Sequence, residues 1–305
     1  YIGRVTMGED IQKARKEKRN KITLDDFFEK FLTRHAKVYK KTWKYDEEQY
    51  SRHISKPLGK KGLKEIHRED VEKVFFDLTE NSGKATANHI LTLISVIFNK
   101  AIEWGDFPMD RQIPTKYIKK HREKSRERVL EKDEFPRFMQ ALEMEENQDF
   151  KDFVKMALLT GARKNNILSM QWQDIKWAQK EWRIPESKNG ESYTVLLLDE
   201  ALEILERRKG IDEVFVFPGN GKDGHFADPK RPWQRLLKRA EIENLTMHDL
   251  RRTFATYQLR AGVEPLIISK TLGHKSLRVI QTYARANNEL AREAMEKGTN
   301  LLMGN

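Results

Sequence analysis

The chain has 305 residues and a formal net charge of +11, with 34% charged and 38% hydrophobic residues. This charge favours a polyanionic partner such as nucleic acid, although a basic protein without such a partner would have the same composition. The absence of cysteine excludes disulfides and cysteine-based zinc sites and suits a reducing cytosol. We expect no membrane span and no signal peptide, because we find no apolar run of the necessary length.

Residues 1–20 are polar and basic, and we interpret them as the trailing end of a preceding segment. Helical patterns begin after them. Thr23 and Asp26 have the spacing of a capping box, and apolar residues then recur at helical spacing in four segments that end near Gly105. Residues 21–107 are therefore predicted to form a small all-α bundle.

Nothing in this bundle points to catalysis. Its basic and polar residues collect at predicted helix starts, where they suit either phosphate contacts, which position a protein on DNA, or a solvated face. The candidates are Lys40, Lys41, Lys84, Thr86 and Asn88.

A basic linker is predicted at residues 108–128, where two prolines precede a run of lysines and arginines that includes Lys119 and Lys120. Such a run keeps a linker soluble. Between two DNA-binding domains it would instead lie along the DNA backbone. Residues 129–305 form the second predicted domain.

The most informative stretch of the second domain is the sequence T-M-H-D-L-R-R at residues 246–252. Thr246 and Asp249 again have capping-box spacing, so a helix should start beside His248. His248 and Arg251 then lie on one face of its first turn. Free backbone N–H groups and the helix dipole make that turn a ready anion site.

Downstream, Gly262 should end this helix, and a second short helix should end at Gly273, leaving His274 at a turn. Tyr283 follows nine residues later, on a third predicted helix. Any one of these His or Tyr side chains, taken alone, would usually be a packing residue.

Two upstream features are weak when taken alone. Arg163, in T-G-A-R at residues 160–163, is typical of a glycine turn with a surface arginine. Asn189-Gly190 lies between two extended segments and predicts a β-hairpin with Lys188 at its tip, a place where a lysine is normally just solvated.

Taken together, T-G-x-R, H-x-x-R, L-G-H and a later tyrosine resemble the tyrosine recombinase (phage integrase) family. One residue departs from the pattern. Asn166 stands where the family usually has a carboxylate that supports Arg163. An amide can still accept one hydrogen bond from a guanidinium, so the support for Arg163 should be weaker. The resemblance implies a six-residue active site made of Arg163, Lys188, His248, Arg251, His274 and Tyr283.

The resemblance also implies the chemistry. Tyr283 would attack a DNA phosphate and form a 3′-phosphotyrosyl intermediate, without a metal, ATP or any other cofactor. The implied fold is mainly α with a small β-hairpin or sheet: a helical core-binding (DNA-binding) domain at residues 21–107, followed by a mostly helical catalytic domain with a C-terminal tail. The implied partner is double-stranded DNA carrying attachment sites of a phage or genomic-island type of mobile element.

The assembly is expected to be a homotetramer on two duplexes in a prokaryotic cytoplasm. The apolar tail residues Leu301, Leu302 and Met303 would dock on a neighbouring protomer, although apolar residues near a terminus usually pack on their own domain. Two alternatives stay open: a type IB topoisomerase-like enzyme that relaxes DNA, and a DNA-binding protein without catalytic activity.

Overall fold

The computed structural model describes residues 22–123, 126–185, 192–221 and 224–273, and the short pieces 295–296, 299–300 and 302–303. The chain divides into two compact units, residues 1–125 and 126–305, and the division falls within the segment 108–128. The described residues are mostly helical, with one three-stranded antiparallel sheet. This architecture confirms the predicted fold class.

The regular elements in the described part of the first unit are all helices. Helix α1 begins as the sequence predicts, because Thr23 Oγ1 accepts a hydrogen bond from the Asp26 backbone N–H and the Asp26 carboxylate accepts one from the Thr23 N–H, each at 3.1 Å. The main helices are α1 (Leu24–Phe31), α2 (Trp43–Tyr50), α3 (Arg68–Asn81) and α4 (Lys84–Glu103). Wider π-type turns continue α1 over Leu32–Ala36 and α2 over Ser51–Gly59.

Helix α4 forms the centre of this unit. By length and composition alone it could cross a membrane, which the sequence prediction did not expect of any segment. Ile90, Ile94, Ile97 and Phe98 are at most 1% exposed and belong to the core of the first unit. The apolar length of α4 is therefore accounted for by core packing.

The second unit combines helices with the small sheet. Its helices are α5 (Phe135–Glu143), α6 (Gln148–Thr160), α7 (Lys164–Leu168), α8 (Asp199–Arg208), α9 (Lys230–Arg239), α10 (Met247–Arg260) and α11 (Pro265–Thr271). Its strands are β1 (Ile175–Lys176), β2 (Glu181–Ile184) and β3 (Tyr193–Leu196).

The sheet has the order β1-β2-β3 with antiparallel pairing, and Ile184 pairs with Tyr193 at the end of β2 and the start of β3. The strands predicted on either side of Asn189-Gly190 are therefore antiparallel neighbours. Residues 186–191, which connect the two strands, lie outside the described residues.

A buried arginine ties α8 to α6. Arg208 is 1% exposed, and its guanidinium donates to the Val216 carbonyl at 2.7 Å, to Asp152 at 3.1 Å and to Asp149 at 2.6 Å. It also lies over the ring of Phe217, 4.5 Å from its centroid. These contacts tie α8 and the segment of Val216 and Phe217 to α6.

Candidate active site and DNA-contacting surface

The start of α10 is built by a capping box, as predicted. The Thr246 backbone N–H donates to the Asp249 carboxylate at 2.8 Å, and Asp249 is fully buried. This cap holds the first turn of α10 in place. It also fixes His248 and Arg251, which follow within that turn.

Arg251 joins three segments of the second unit. Its guanidinium is 3% exposed and donates to the Gly161 carbonyl at 2.9 Å and to the Leu272 carbonyl at 2.6 Å. Gly161 directly precedes the turn that carries Arg163, and Leu272 lies two residues before His274. A buried guanidinium held by two carbonyls has a fixed orientation before any ligand arrives.

Arg163 lies at the N-cap of α7, in extended conformation. Its Nη1 atom is buried and has no hydrogen-bond partner among the described residues. A buried guanidinium N–H without a partner costs free energy. An anion bound beside Arg163 would supply the missing acceptor.

His248 is surrounded by positive charge. Burial, and then the nearby charges of Arg252, Arg251 and Arg163, lower the pKa of His248, while Asp249 opposes them. The imidazole is therefore neutral near pH 7. A neutral imidazole in this position can accept a proton.

Asn166 has a partner that the sequence did not suggest. Its side-chain amide donates to the Tyr193 hydroxyl at 3.2 Å, so the amide of α7 is linked to the first residue of β3. Sequence reasoning missed Tyr193. The signal that was available is the strand alternation, which puts Tyr193 on the same face as the buried Val195.

Lys188, His274 and Tyr283 lie outside the described residues, so the structure assigns them no position. It does describe the residues on either side of the Lys188 segment and those just before His274. Strands β2 and β3 flank the segment of Lys188, and Gly273, in left-handed conformation, directly precedes His274. Within the described ranges, no group of three or more His, Cys, Asp or Glu side chains is arranged to hold a metal ion.

The candidate DNA contacts of the first bundle differ among themselves. Lys41 and Lys84 are exposed, whereas the Lys40 ammonium pairs with the buried carboxylate of Asp46. The Thr86 hydroxyl donates to the Ser82 carbonyl at 3.1 Å, four residues earlier in the chain. Lys41 and Lys84 are the exposed members of these four, and their contact with DNA stays a prediction.

The structure gives Asn88 an internal role instead of a surface one. Asn88 is 5% exposed, and its amide donates to the His121 carbonyl at 2.9 Å and to Glu123 at 2.6 Å, while its oxygen accepts from the His121 N–H at 2.9 Å. These bonds fasten residues 121–123 to α4. Lys119 and Lys120, just before them, are exposed.

Two arginines of the predicted linker engage the second unit. Arg126 donates to the buried carboxylate of Asp249 at 3.0 Å. Arg128 forms a two-pronged ion pair with Glu134, at 2.7 and 2.5 Å. Both side chains therefore make intramolecular contacts, which neither reading of the linker, soluble or along DNA, predicted.

Comparison with known proteins gives a consistent result. The sequence profile of the phage integrase family matches residues 128–289. The integrase of Salmonella phage P22 is 32% identical over 164 residues, which are 49% of this chain and 42% of that protein. The prophage integrase IntF of Escherichia coli K12 is 29% identical over 174 residues, 55% of this chain and 37% of that protein. The matches thus span about two fifths of the length of these relatives.

Solved structures share the fold over most of the chain. A lambda integrase dimer bound to a core site superposes with a TM-score of 0.73 at 20% identity, covering 90% of this chain and 81% of that one. The Tn1549 transposon integrase in complex with circular intermediate DNA gives a TM-score of 0.71 at 18% identity, covering 90% of this chain and 99% of that one.

Proposed function

Because the chain belongs to the phage integrase family, we propose that it is a site-specific DNA recombinase that integrates or excises a mobile element through a 3′-phosphotyrosyl intermediate. The observation that carries this proposal is the placement of Arg251. Its buried guanidinium binds the carbonyls of Gly161 and Leu272, so that the residues just before Arg163 and the end of the described chain before His274 meet at one arginine of α10.

In this reaction the Tyr283 oxygen attacks phosphorus and the bond from phosphorus to the 5′ oxygen breaks. Negative charge builds on the non-bridging oxygens, where Arg163 and Arg251 stabilise it and His274 donates a hydrogen bond. The unpartnered Nη1 of Arg163 supports this role. His248 takes the tyrosine proton, for which its lowered pKa suits it.

The leaving 5′ oxygen takes a proton from Lys188. Rejoining is the reverse reaction: a 5′-hydroxyl of a second strand attacks the phosphotyrosine and Tyr283 regains its proton. The phosphotyrosyl bond preserves the energy of the phosphodiester, so the cycle uses no ATP. The two guanidiniums and the lysine supply the charge that a metal ion would otherwise bring.

Binding and assembly follow from the same proposal. The first bundle acts as a DNA-binding domain and contacts phosphates through Lys41, Lys84, Lys119 and Lys120, which are exposed. Four protomers assemble on two duplexes in a prokaryotic cytoplasm, each tail docking on a neighbour. The exposed Leu302 and Met303, at 87% and 74%, support the docking step.

The test uses nicked suicide duplexes that carry candidate attachment sites, in EDTA and without nucleotide. A recombinase forms a covalent adduct and transfers the strand to a second duplex. A topoisomerase-like enzyme forms the adduct and relaxes supercoiled DNA without transfer to a second duplex. If no adduct forms on any candidate site that the protein binds specifically, the protein is a DNA-binding protein without this chemistry.

A further inference from the structure

The ring of Tyr193 lies directly on the backbone of Gly273. A β-carbon placed on Gly273 would lie 2.6 Å from Cγ, 2.7 Å from Cδ1 and 2.9 Å from Cδ2 of that ring. Gly273 also has φ of +61°, a conformation that favours glycine. No other residue would leave room for the tyrosine ring at this position, which directly precedes His274.

The other end of Tyr193 is held as well. Its hydroxyl accepts the hydrogen bond from the Asn166 amide at 3.2 Å. Asn166 belongs to the first turn of α7, where its backbone N–H donates to the Arg163 carbonyl at 2.9 Å. Tyr193 therefore connects the turn of Arg163 with the backbone before His274.

A third fixed point lies beside these two. The Leu272 carbonyl, one residue before Gly273, accepts a hydrogen bond of 2.6 Å from the buried Arg251. The peptide that leads to His274 is thus held by Arg251 through Leu272 and covered by Tyr193 at Gly273. A side chain that must reach a phosphate oxygen benefits from such a rigid approach, because a displacement of about 1 Å can cost roughly 10²-fold in rate.

We propose that Tyr193 and Asn166 are positioning residues: the Tyr193 ring fixes the backbone that presents His274 to the phosphate, and the Asn166 amide fixes the ring. This inference rests on the proposed recombinase function. Neither side chain touches the reacting atoms in this scheme. A residue that only packs would contribute to the stability of the fold. A positioning residue instead affects the rate of cleavage, while the affinity for DNA stays the same.

The experiment measures single-turnover adduct formation on a suicide duplex at saturating protein, together with DNA affinity and thermal stability. Tyr193→Ala should slow cleavage by about 10²-fold. Tyr193→Phe, which keeps the ring and removes the hydroxyl, should slow it about two- to tenfold. DNA affinity should stay unchanged in both. Thr194→Val, at the next and exposed position of β3, is the matched control and should cleave at the wild-type rate.

Two double variants test whether Tyr193 acts together with Asn166 and through His274. The double variant Asn166→Ala with Tyr193→Phe should cleave no more slowly than the slower of the two single variants, since both substitutions remove the same hydrogen bond. Adding Tyr193→Phe to His274→Ala should likewise cost nothing more, because the residue to be positioned is gone. Full additivity in either pair would overturn the proposal.

A substrate with sulfur at the bridging 5′ position separates His274 from Lys188. A thiolate leaves without a proton, so sulfur should rescue a defect that acts through the general acid Lys188 but not one that acts through His274. We expect no rescue of Tyr193→Phe, and rescue would contradict the route through His274. If the folded wild-type protein forms no adduct, the recombinase function fails and the positioning role with it. If wild type cleaves and Tyr193→Ala matches it, only the positioning role of Tyr193 fails, and a match by Tyr193→Phe removes Asn166 from that role.

Discussion

Arg251 and Gly161 are joined by a hydrogen bond of 2.9 Å from the guanidinium to the backbone carbonyl, although 90 residues separate them in the chain. The bond makes the position of one proposed catalytic arginine depend on the turn that carries the other, Arg163. A change in the geometry of that turn should therefore displace both guanidiniums.

The first prediction concerns the glycine of this turn. Gly161 has φ of +59°, and a β-carbon there would lie 2.5 Å from Cδ1 of Phe254 and 2.8 Å from Cδ2 of Leu272. Gly161→Ala should displace the carbonyl that Arg251 binds and slow adduct formation by about 10²-fold. Single-turnover cleavage measures this.

Gly262 is the matched control for Gly161→Ala. It also has positive φ, +82°, but a β-carbon there would meet nothing within 4 Å. In Gly262→Ala the free energy of unfolding should fall only by the roughly 1–2 kcal/mol that a left-handed conformation costs an L-residue. This variant should cleave normally. Equal cleavage by the two variants would contradict the coupling between Arg251 and the turn.

The second prediction is a pH dependence of cleavage. Burial and the charges of Arg252, Arg251 and Arg163, partly opposed by Asp249, lower the pKa of His248. As the pH falls, His248 gains a proton and can no longer accept one from Tyr283. The rate should therefore fall on the acid side with an apparent pKa below the usual value of about 6.5.

The control for this profile is His248→Gln, which cannot titrate. It should cleave slowly and lose the acid limb. An acid limb that persists unchanged in His248→Gln would assign the titration to another group and remove His248 as the proton acceptor.

The third prediction concerns the stability of the second unit. Asp152 is fully buried and accepts from Arg208 at 3.1 Å and from Arg207 at 2.6 Å. Asp152→Ala removes one of the two carboxylates that pair with the buried Arg208 guanidinium and leaves Asp149 in place, so the free energy of unfolding should fall by about 1–3 kcal/mol. Chemical denaturation monitored on residues of the second unit measures this loss.

A surface pair provides the comparison for Asp152. Lys180 and Asp199 form an ion pair of 2.7 Å, with both side chains exposed. Lys180→Ala should cost less than about 1 kcal/mol, because exposed pairs contribute little. Losses of the same size in the two variants would show that the Arg208 network does not stabilise the unit as its burial implies.

The fourth prediction concerns phosphate contacts. If the exposed Lys119 and Lys120 each neutralise one phosphate, replacing both with alanine should reduce the slope of log K against log salt by about 2, since each contact contributes roughly 0.9. Asn88→Ala should instead lower the stability of the first unit, because it releases the His121 backbone. An unchanged slope in the lysine double variant would remove these residues from the interface.

Local signals in the sequence predicted local structure well. Both capping boxes, at Thr23 and Thr246, are present because their hydrogen bonds join residues three apart. The sequence was misleading where a contact depends on distant chain. Asn88 was read as exposed at a helix start, and its burial depends on residues 121–123, which pack back on α4.

The same difference between local and distant contacts applies to the candidate site. The order of its motifs indicated which segments matter, but not what orients their side chains. The carbonyl partners of Arg251 and the bond between Asn166 and Tyr193 join residues 21 to 90 positions apart. Such contacts follow from tertiary packing, which no local pattern encodes.

The most direct test of the account is the identity of the residue that becomes attached to DNA. Wild-type protein is trapped on a nicked suicide duplex that it binds specifically, the adduct is digested, and the modified peptide is identified by mass spectrometry. We predict a 3′-phosphotyrosyl link at Tyr283, and no adduct from Tyr283→Phe, which should bind the duplex as tightly as wild type. A normal yield of adduct from Tyr283→Phe, or a link at any other residue, would contradict the proposed mechanism.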